Sequence, residues 1–462
     1  KQNRYLAITK TRDSILYKYE GKLMNNILRL VRYNTGNDKK IFIDFKNNFN
    51  AILMNATIVA YSGSAIADLV TVHKNKYIID PQTHIFQQEI SALTSTNKKG
   101  ETSLKKSIEK YIDSLPNFFS ESLKKGKNIA AQEVLNRLSD LVQSVSDFQL
   151  KYVKSFIEKK EYNKYLEFLN EDSSPKPKLL IAPYFMIKKE YDKNEIDLWM
   201  HVNEKAIKLF VEKVASLGYP ISAQLVLDKD VLERLDLDLI LQSYKDISFE
   251  YVFIWIDDFI PLTAPIKQKK AFFELIVGLN SINKKPIMAY GGYDSIILCH
   301  EQSKARLYGV AHSVGYGEAR QITPVGGGLP VNKYYLYPIH QRLRMDEIFT
   351  IMYQKGYFDS KIDTEERAEK YYKELCSCPQ CKKIIKDDID EFQQFNDSIP
   401  FTMKNGIRRN RPTSDASYIS AKHFMFSKES EWEGLYKFSY DELLNQYESG
   451  IKNYNSSLLC AF

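Results

Sequence analysis

Cys376-Ser-Cys378-Pro-Gln-Cys381 places three thiols within a single short turn of chain. Soft thiolates at C-x-C-x-x-C spacing can close three corners of a tetrahedral zinc site, and one histidine can close the fourth. His423 is the sole histidine downstream of the cluster, and Cys460 is its rival as fourth ligand. Four protein ligands leave no open position, so the role of such a Zn2+ would be structural: it would pin the C-terminal segment. Five cysteines in 462 residues are too few for a disulfide framework, and with the clustered thiols they indicate a reducing compartment.

A second kind of chemistry is suggested by carboxylates at the ends of apolar runs. Tyr77-Ile-Ile-Asp80 leads into Pro81-Gln-Thr-His84-Ile-Phe86-Gln87, and Tyr251-Val-Phe-Ile-Trp-Ile256 leads into Asp257 and Asp258. Two carboxylates converging in a cleft are the minimum set for cleaving a glycosidic bond: one assists the leaving group or activates water, the other stabilises the sugar cation. The plain alternative for Asp80 is a turn cap ahead of Pro81. Gly291 and Gly292, followed by Tyr293, could let a flat ligand approach the backbone, or could be ordinary turns. Gly326-Gly-Gly-Leu-Pro330 reads as a loop that could act as a lid. Tyr335, His340, Arg342 and Arg344 mix aromatics with bases and suit base stacking and phosphate contact, although a structural histidine is the plainer reading of His340. Arg408, Arg409 and Arg411 are further phosphate candidates in a basic loop that could simply be solvated. Trp255 is a stacking candidate with barrel core as its alternative.

These residues need a frame. Leu179–Phe185, Ile221–Leu227, Tyr251–Ile256, Pro286–Tyr290, Leu307–His312 and Tyr334–Tyr337 are apolar strand candidates at regular intervals, with helical candidates such as Asn203–Leu217 and Gln268–Leu279 between them. Such alternation predicts a parallel sheet buried on both faces, and so many units favour an α/β (β/α)8 TIM-like barrel, with reactive groups at the C-terminal strand ends. Ile41–Phe45 and Ile52–Tyr61 read as earlier β segments. From Glu101 to Asn170 the texture is helical, with Ala131, Val134, Leu138, Leu141 and Val145 on one stripe. The expected organisation is 1–100 as N-terminal strands and first part of the barrel, 101–178 as helical insertion and linker, 179–346 as the rest of the barrel, and 347–462 as a zinc-binding helical subdomain. Apolar residues at 44% and charged residues at 27% exclude wholesale disorder. No apolar run approaches the ~18–20 residues of a membrane span, and the charged start shows no secretory signal, so a cytoplasmic protein without a membrane partner is expected. The net charge of +7 permits a nucleic-acid partner without requiring one.

A barrel with a late C-x-C-x-x-C followed by histidine, and an Asp after an early strand, resembles the tRNA-guanine transglycosylase superfamily. The stretch Gly309-Val-Ala-His-Ser-Val-Gly-Tyr-Gly-Glu318 looks like a diverged form of that family's GG-L-A-V-G-E segment, and the resemblance covers residues 40–95 and 179–430. It implies cleavage of the N-glycosidic bond of a nucleobase, with Asp80 matching the Asp of the family's D-S-G-G-F-Q motif and Asp257 or Asp258 as a second carboxylate. His84, Tyr293, Gly291, Gly292, His340 and Tyr335 would then contact the substrate. The family's nucleophile lies in a D-x-x-x-P-T-R motif, and Tyr334–Arg344, taken as the matching region, has no Asp. The expectation is therefore a DNA glycosylase that removes a modified base and leaves an abasic site, in the manner of antiphage relatives. DNA is favoured over tRNA as partner, and a homodimer is left open. A transglycosylase inserting a 7-deazaguanine and a non-catalytic nucleic-acid-binding relative are the alternatives.

Overall fold

A computed structural model describes residues 27–34, 38–72, 76–97, 99–158, 175–261, 263–315, 318, 320–322, 331–403 and 406–459. Its largest sheet contains β1 (Leu28–Tyr33), β2 (Ala51–Asn55), β3 (Tyr77–Asp80), the short β4 (Leu180–Ile181) and β5 (Met186–Ile187), β6 (Ile221–Leu227), β7 (Tyr251–Ile256), β8 (Lys285–Met288) and β9 (Gly309–Ser313). All pairings are parallel, and β9 returns to pair with β1. Because β4 and β5 both pair with β6, at its two ends, they form one interrupted stave. Eight staves thus make a nearly closed parallel barrel with one seam, between β3 and β4.

The apolar runs are strands because both faces are covered. On β6, Ala223, Leu225 and Leu227 join the core under the outer helices, whereas Val226 joins a separate lumen core with Leu30, Phe253, Trp255 and Ala311. Side-chain alternation with period two produces this division.

The seam is spanned by one bridge, Tyr77 to Pro177, with the Lys178 amide donating to the Tyr77 carbonyl at 2.7 Å. Along the interrupted stave, side chains do the work of a neighbouring strand. The Gln149 carboxamide bonds both backbone groups of Ile181 (2.9 and 2.7 Å), Asn203 does the same for Phe185 (2.7 and 2.9 Å), and Gln87 for Met186 (2.7 and 3.0 Å). Thr83 Oγ1 accepts from the Tyr184 amide and donates to its carbonyl. Each of these buried backbone groups would otherwise lack a partner. Gln149 lies on α1 (Leu138–Glu158) and Asn203 on α2 (Lys193–Val214), which pack together.

That position makes α1 an outer helix between β3 and β4 in the chain, so Leu138–Glu158 of the expected insertion packs on the barrel. The helical stripe from Ala131 is real but breaks at Arg137, between helices Ala131–Asn136 and Leu138–Glu158. Other expectations change more. Ile41–Phe45 lies largely in a helix, Asp38–Asp44, whose Asp38 carboxylate accepts from the Asn34 amide at 2.8 Å and whose Ile41 and Phe42 are buried. Their burial outweighs β propensity. In Ile52–Tyr61 the strand stops at Asn55, and Ala56–Tyr61 is helical, with Val59 and Ala60 inward. The strand expected at Tyr334–Tyr337 is not a barrel stave, since β9 has already met β1. Instead β10 (Lys333–Leu336) pairs antiparallel with β11 (Gln341–Arg344) and opens the C-terminal unit. The basic loop is a strand, β13 (Arg408–Pro412), paired with β12 (Ser398–Thr402). The unit ends in α3 (Ser414–Lys437) and α4 (Tyr440–Leu459). Gly326–Pro330, Cys460 and residues 159–174 of the expected helical insertion and linker lie outside the described residues.

Candidate active site and metal centre

Asp80 ends β3, points into the mouth of the barrel and is fully buried. Arg32, from β1, places a guanidinium nitrogen 3.2 Å from its Oδ2, and the Tyr184 hydroxyl donates to its Oδ1 at 2.6 Å. The Gln82 amide adds a bond to Oδ1 at 3.1 Å. Arg32 also donates to Asn55 Oδ1 (2.7 Å) and the Ala289 carbonyl (3.3 Å), and lies 4.0 Å over the Tyr290 ring. His84 Nδ1 stands 3.1 Å from the Tyr184 oxygen. Because the phenol proton is given to Asp80, the bond requires the proton on His84 Nδ1, and a relay runs from His84 through Tyr184 to Asp80. Burial pushes the imidazole down to about 4, so it is neutral at pH 7, and burial with the Asp80 charge holds the Tyr184 phenol well above its ordinary range. Trp255 meets His84 edge-on at 5.5 Å and Tyr290 at 4.8 Å, completing an aromatic wall.

Asp257 and Asp258 part company. Asp257 is half-buried, its carboxyl raised by burial, and its Oδ1 accepts from the Ile322 amide at 2.6 Å. Asp258 adopts a left-handed backbone (φ 42°) and turns its side chain to solvent, 3.9 Å from Lys229.

Tyr293, Tyr335 and His340 gather in a different place, where the barrel meets α3. The His340 ring stacks on Tyr293 with centroids 3.5 Å apart, and its Nδ1 is 2.7 Å from Glu431. The Tyr335 hydroxyl donates to Glu431, and Lys428 donates to both, at 2.8 Å each. Glu431 is fully buried, and Lys428 and His340 hold its carboxyl down at about 2 against the cost of burial. Arg342 is also inside: it donates to the Ser313 and Val314 carbonyls, meets Glu318 at 3.4 Å and covers the Phe424 ring at 3.5 Å. Gly291 and Gly292 serve packing here, since a Cβ would fall 2.7 Å from Ser295 Oγ and 2.9 Å from Asp294 Oδ1 respectively. Arg344 is exposed and forked onto Asp346, while Arg408, Arg409 and Arg411 stand exposed on β13.

Cys376, Cys378, Cys381 and His423 form a compact group whose ligand atoms all lie within 4.8 Å of one another. The three sulfurs stand 3.8, 3.4 and 3.4 Å from His423 Nδ1. A tetrahedral ion with sulfur at about 2.3 Å and nitrogen at about 2.0 Å has edges of about 3.5 Å, so the donor set fits. His423 Nε2 donates to the Tyr335 carbonyl at 2.8 Å, which fixes the tautomer that leaves Nδ1 free for a metal. The Tyr371 hydroxyl donates to Cys381 Sγ at 3.1 Å. C-x-C-x-x-C spacing was enough to find the three thiols, and of the two expected fourth ligands His423 is the one that lies beside them.

No family model matches the chain, and no curated protein matches it. Sequence reasoning missed Arg32, Asn55 and Tyr184. Their signal was faint: an Arg inside an apolar hexamer, Leu28-Arg-Leu-Val-Arg-Tyr33, has no place in a strand buried on both faces unless it meets an acid.

Proposed function

We propose that the chain is a TIM-barrel enzyme that cleaves the N-glycosidic bond of a nucleobase in DNA and leaves an abasic site, with a structural zinc ion held by Cys376, Cys378, Cys381 and His423. One observation carries the reading: a buried carboxylate, Asp80, oriented by Arg32, Tyr184 and His84 at the C-terminal end of parallel staves and faced by aromatic rings. Reactive groups of parallel barrels collect at that end. As the bond from C1′ to the base breaks, its electron pair leaves with the base and the sugar gains cationic character, which the Asp80 carboxylate stabilises. Water adds at C1′, and its proton ends on the departed base, with Asp80 as the nearest acceptor on the way. Trp255, Tyr290 and His84 supply ring faces for a base taken out of its stack. Arg344, Arg408, Arg409 and Arg411 supply exposed cations for phosphates.

A transglycosylase is the second reading, and Glu318 favours it. This carboxylate follows β9, the last stave, where a second acid could trap the sugar while bases exchange. The test is incubation with unmodified DNA, hypermodified phage DNAs and tRNA, without added base. Mass spectrometry follows free base, and alkaline cleavage follows abasic sites. Release that falls at least ~10²-fold in Asp80→Asn supports the glycosylase. Silence until a 7-deazaguanine is supplied supports exchange. Silence with every substrate and base leaves a binding protein without this chemistry.

A further inference from the structure

Arg320, Gln321 and Ile322 cross the mouth above Asp80. The Arg320 carbonyl accepts from Trp255 Nε1 at 3.1 Å and from the Asp258 amide at 3.2 Å. The Arg320 guanidinium donates to Asn34 Oδ1 at 3.1 Å, beyond β1. The Ile322 amide donates to Asp257 at 2.6 Å, and its carbonyl accepts from Gln88 Nε2 at 3.0 Å. Three residues are therefore tied to the ends of β1 and β7 and to the turn after β3. The Ile322 side chain is 2% exposed and belongs to the lumen core with Tyr184, Trp255 and Tyr290. It packs in the same core as these rings, and Asp80, bonded to Tyr184, is fully buried.

Among the described residues, the Tyr290 hydroxyl, Gln224 Nε2 and Gln88 Oε1 are buried without a hydrogen-bond partner. Of these, Gln88 donates to the Ile322 carbonyl and Tyr290 shares the Ile322 core, so two polar groups beside this side chain lack a complement, which an isoleucine cannot supply. A flat heterocycle with ring donors and acceptors has the needed chemistry.

We propose that Arg320–Ile322 is an autoinhibitory strap latched by Asp257, and that a nucleobase enters by displacing Ile322 from among Tyr184, Trp255 and Tyr290. The entering base is taken from the proposed function above; the strap and its latch stand on the contacts alone. Asp257 then acts as a positioning residue, through the Ile322 amide.

The test uses the full-length chain. Asp257→Ala removes the latch, and hydrogen exchange by mass spectrometry reads the Asp258 amide, whose acceptor is on the strap and not on the mutated side chain. Exchange several-fold faster at Asp258, with more acrylamide quenching of Trp255 in a Trp199→Phe/Trp432→Phe background, is expected. Unchanged exchange overturns the latch, and the exchange measurement stands where the tryptophan background fails to fold. A second arm adds a single-stranded oligodeoxynucleotide to the wild-type chain, with binding followed by anisotropy. Binding with faster Asp258 exchange supports displacement, and binding with unchanged exchange overturns it. An oligonucleotide that does not bind overturns the nucleobase reading, and the Asp257→Ala arm still decides whether the strap opens.

Discussion

The Asp80 carboxylate takes its donors from Arg32, Tyr184 and the Gln82 amide, which lie far apart in the chain or, for Gln82, just beyond it. Either substitution leaves the buried Arg32 charge without its partner, at about 3–5 kcal/mol, but Asp80→Asn keeps the volume and an oxygen acceptor for Arg32 and Tyr184, so it is a cleaner probe of chemistry than Asp80→Ala. The buried histidines govern the acid limb of stability. Burial holds His84 at about 4 and His312 at about 3, both below the ordinary 6.5. Each binds fewer protons folded than unfolded, so its contribution is complete above pH 6.5 and declines as pH falls towards the folded value. Urea titrations at pH 7.0 and 5.0 should show stability dropping by up to about 1.4 kcal/mol per pH unit for each histidine, and His84→Gln should flatten that slope by one residue's share. Asp294, raised to about 6 by burial, acts in the opposite sense, losing its stabilisation as pH rises through that value. Comparing variants with wild type separates the two.

At the scale of elements, the seam yields a second prediction. Gln149→Leu keeps the volume of the side chain but strips both backbone groups of Ile181 of their partners, and should cost about 1–3 kcal/mol in urea unfolding at neutral pH. The Cys3His group yields a third. Elemental analysis should find about one zinc per chain, lost in Cys381→Ala, and chelation should lower the melting temperature, because the ligands join helix Pro379–Ile385 to α3. Much of the barrel was legible: β7 is apolar throughout, and β6 is apolar apart from Ser222 and Gln224, because both faces are covered. β1 was not, because Arg29 and Arg32 interrupt its run, and Arg32 is explicable only by an acid 48 residues on. The Asp38–Asp44 helix was hidden by its β-branched and aromatic residues. The three thiols of the Cys3His group were legible because their chelate spacing is local, whereas the distant fourth ligand was left between His423 and Cys460. The division of Asp257 from Asp258 was not, since adjacent residues turn by backbone conformation that tertiary contacts decide.

For the whole molecule, the cations are distributed unevenly. Arg342 is spent inside, whereas Arg408, Arg409 and Arg411 share one exposed strand, with Arg411 5.3 Å from the Phe401 ring. If that hairpin lies along a sugar-phosphate backbone, Arg409→Ala and Arg411→Ala should each weaken binding of any oligonucleotide sequence and reduce the salt slope by about 1. The measurement is fluorescence anisotropy across a salt series. Arg344→Ala should do less, because Asp346 already neutralises it at 2.6 Å. The buried set of Lys428, Glu431, Tyr335 and His340 joins α3 to the β10–β11 hairpin, His340 stacks on Tyr293 of the barrel, and the Tyr335 carbonyl also holds His423. Metal loss would therefore be felt at the barrel rim as well as in the C-terminal unit.

The seam also dictates an order of events. The backbone of residues 180–187 finds its partners in Thr83, Gln87, Gln149 and Asn203, side chains from a turn and two outer helices. The eighth stave therefore cannot be completed as bare sheet and then clothed with helices. In refolding followed by pulsed deuterium labelling, the amides of Ile181, Phe185 and Met186 should gain protection together with those of α1 and α2, late and in a single phase.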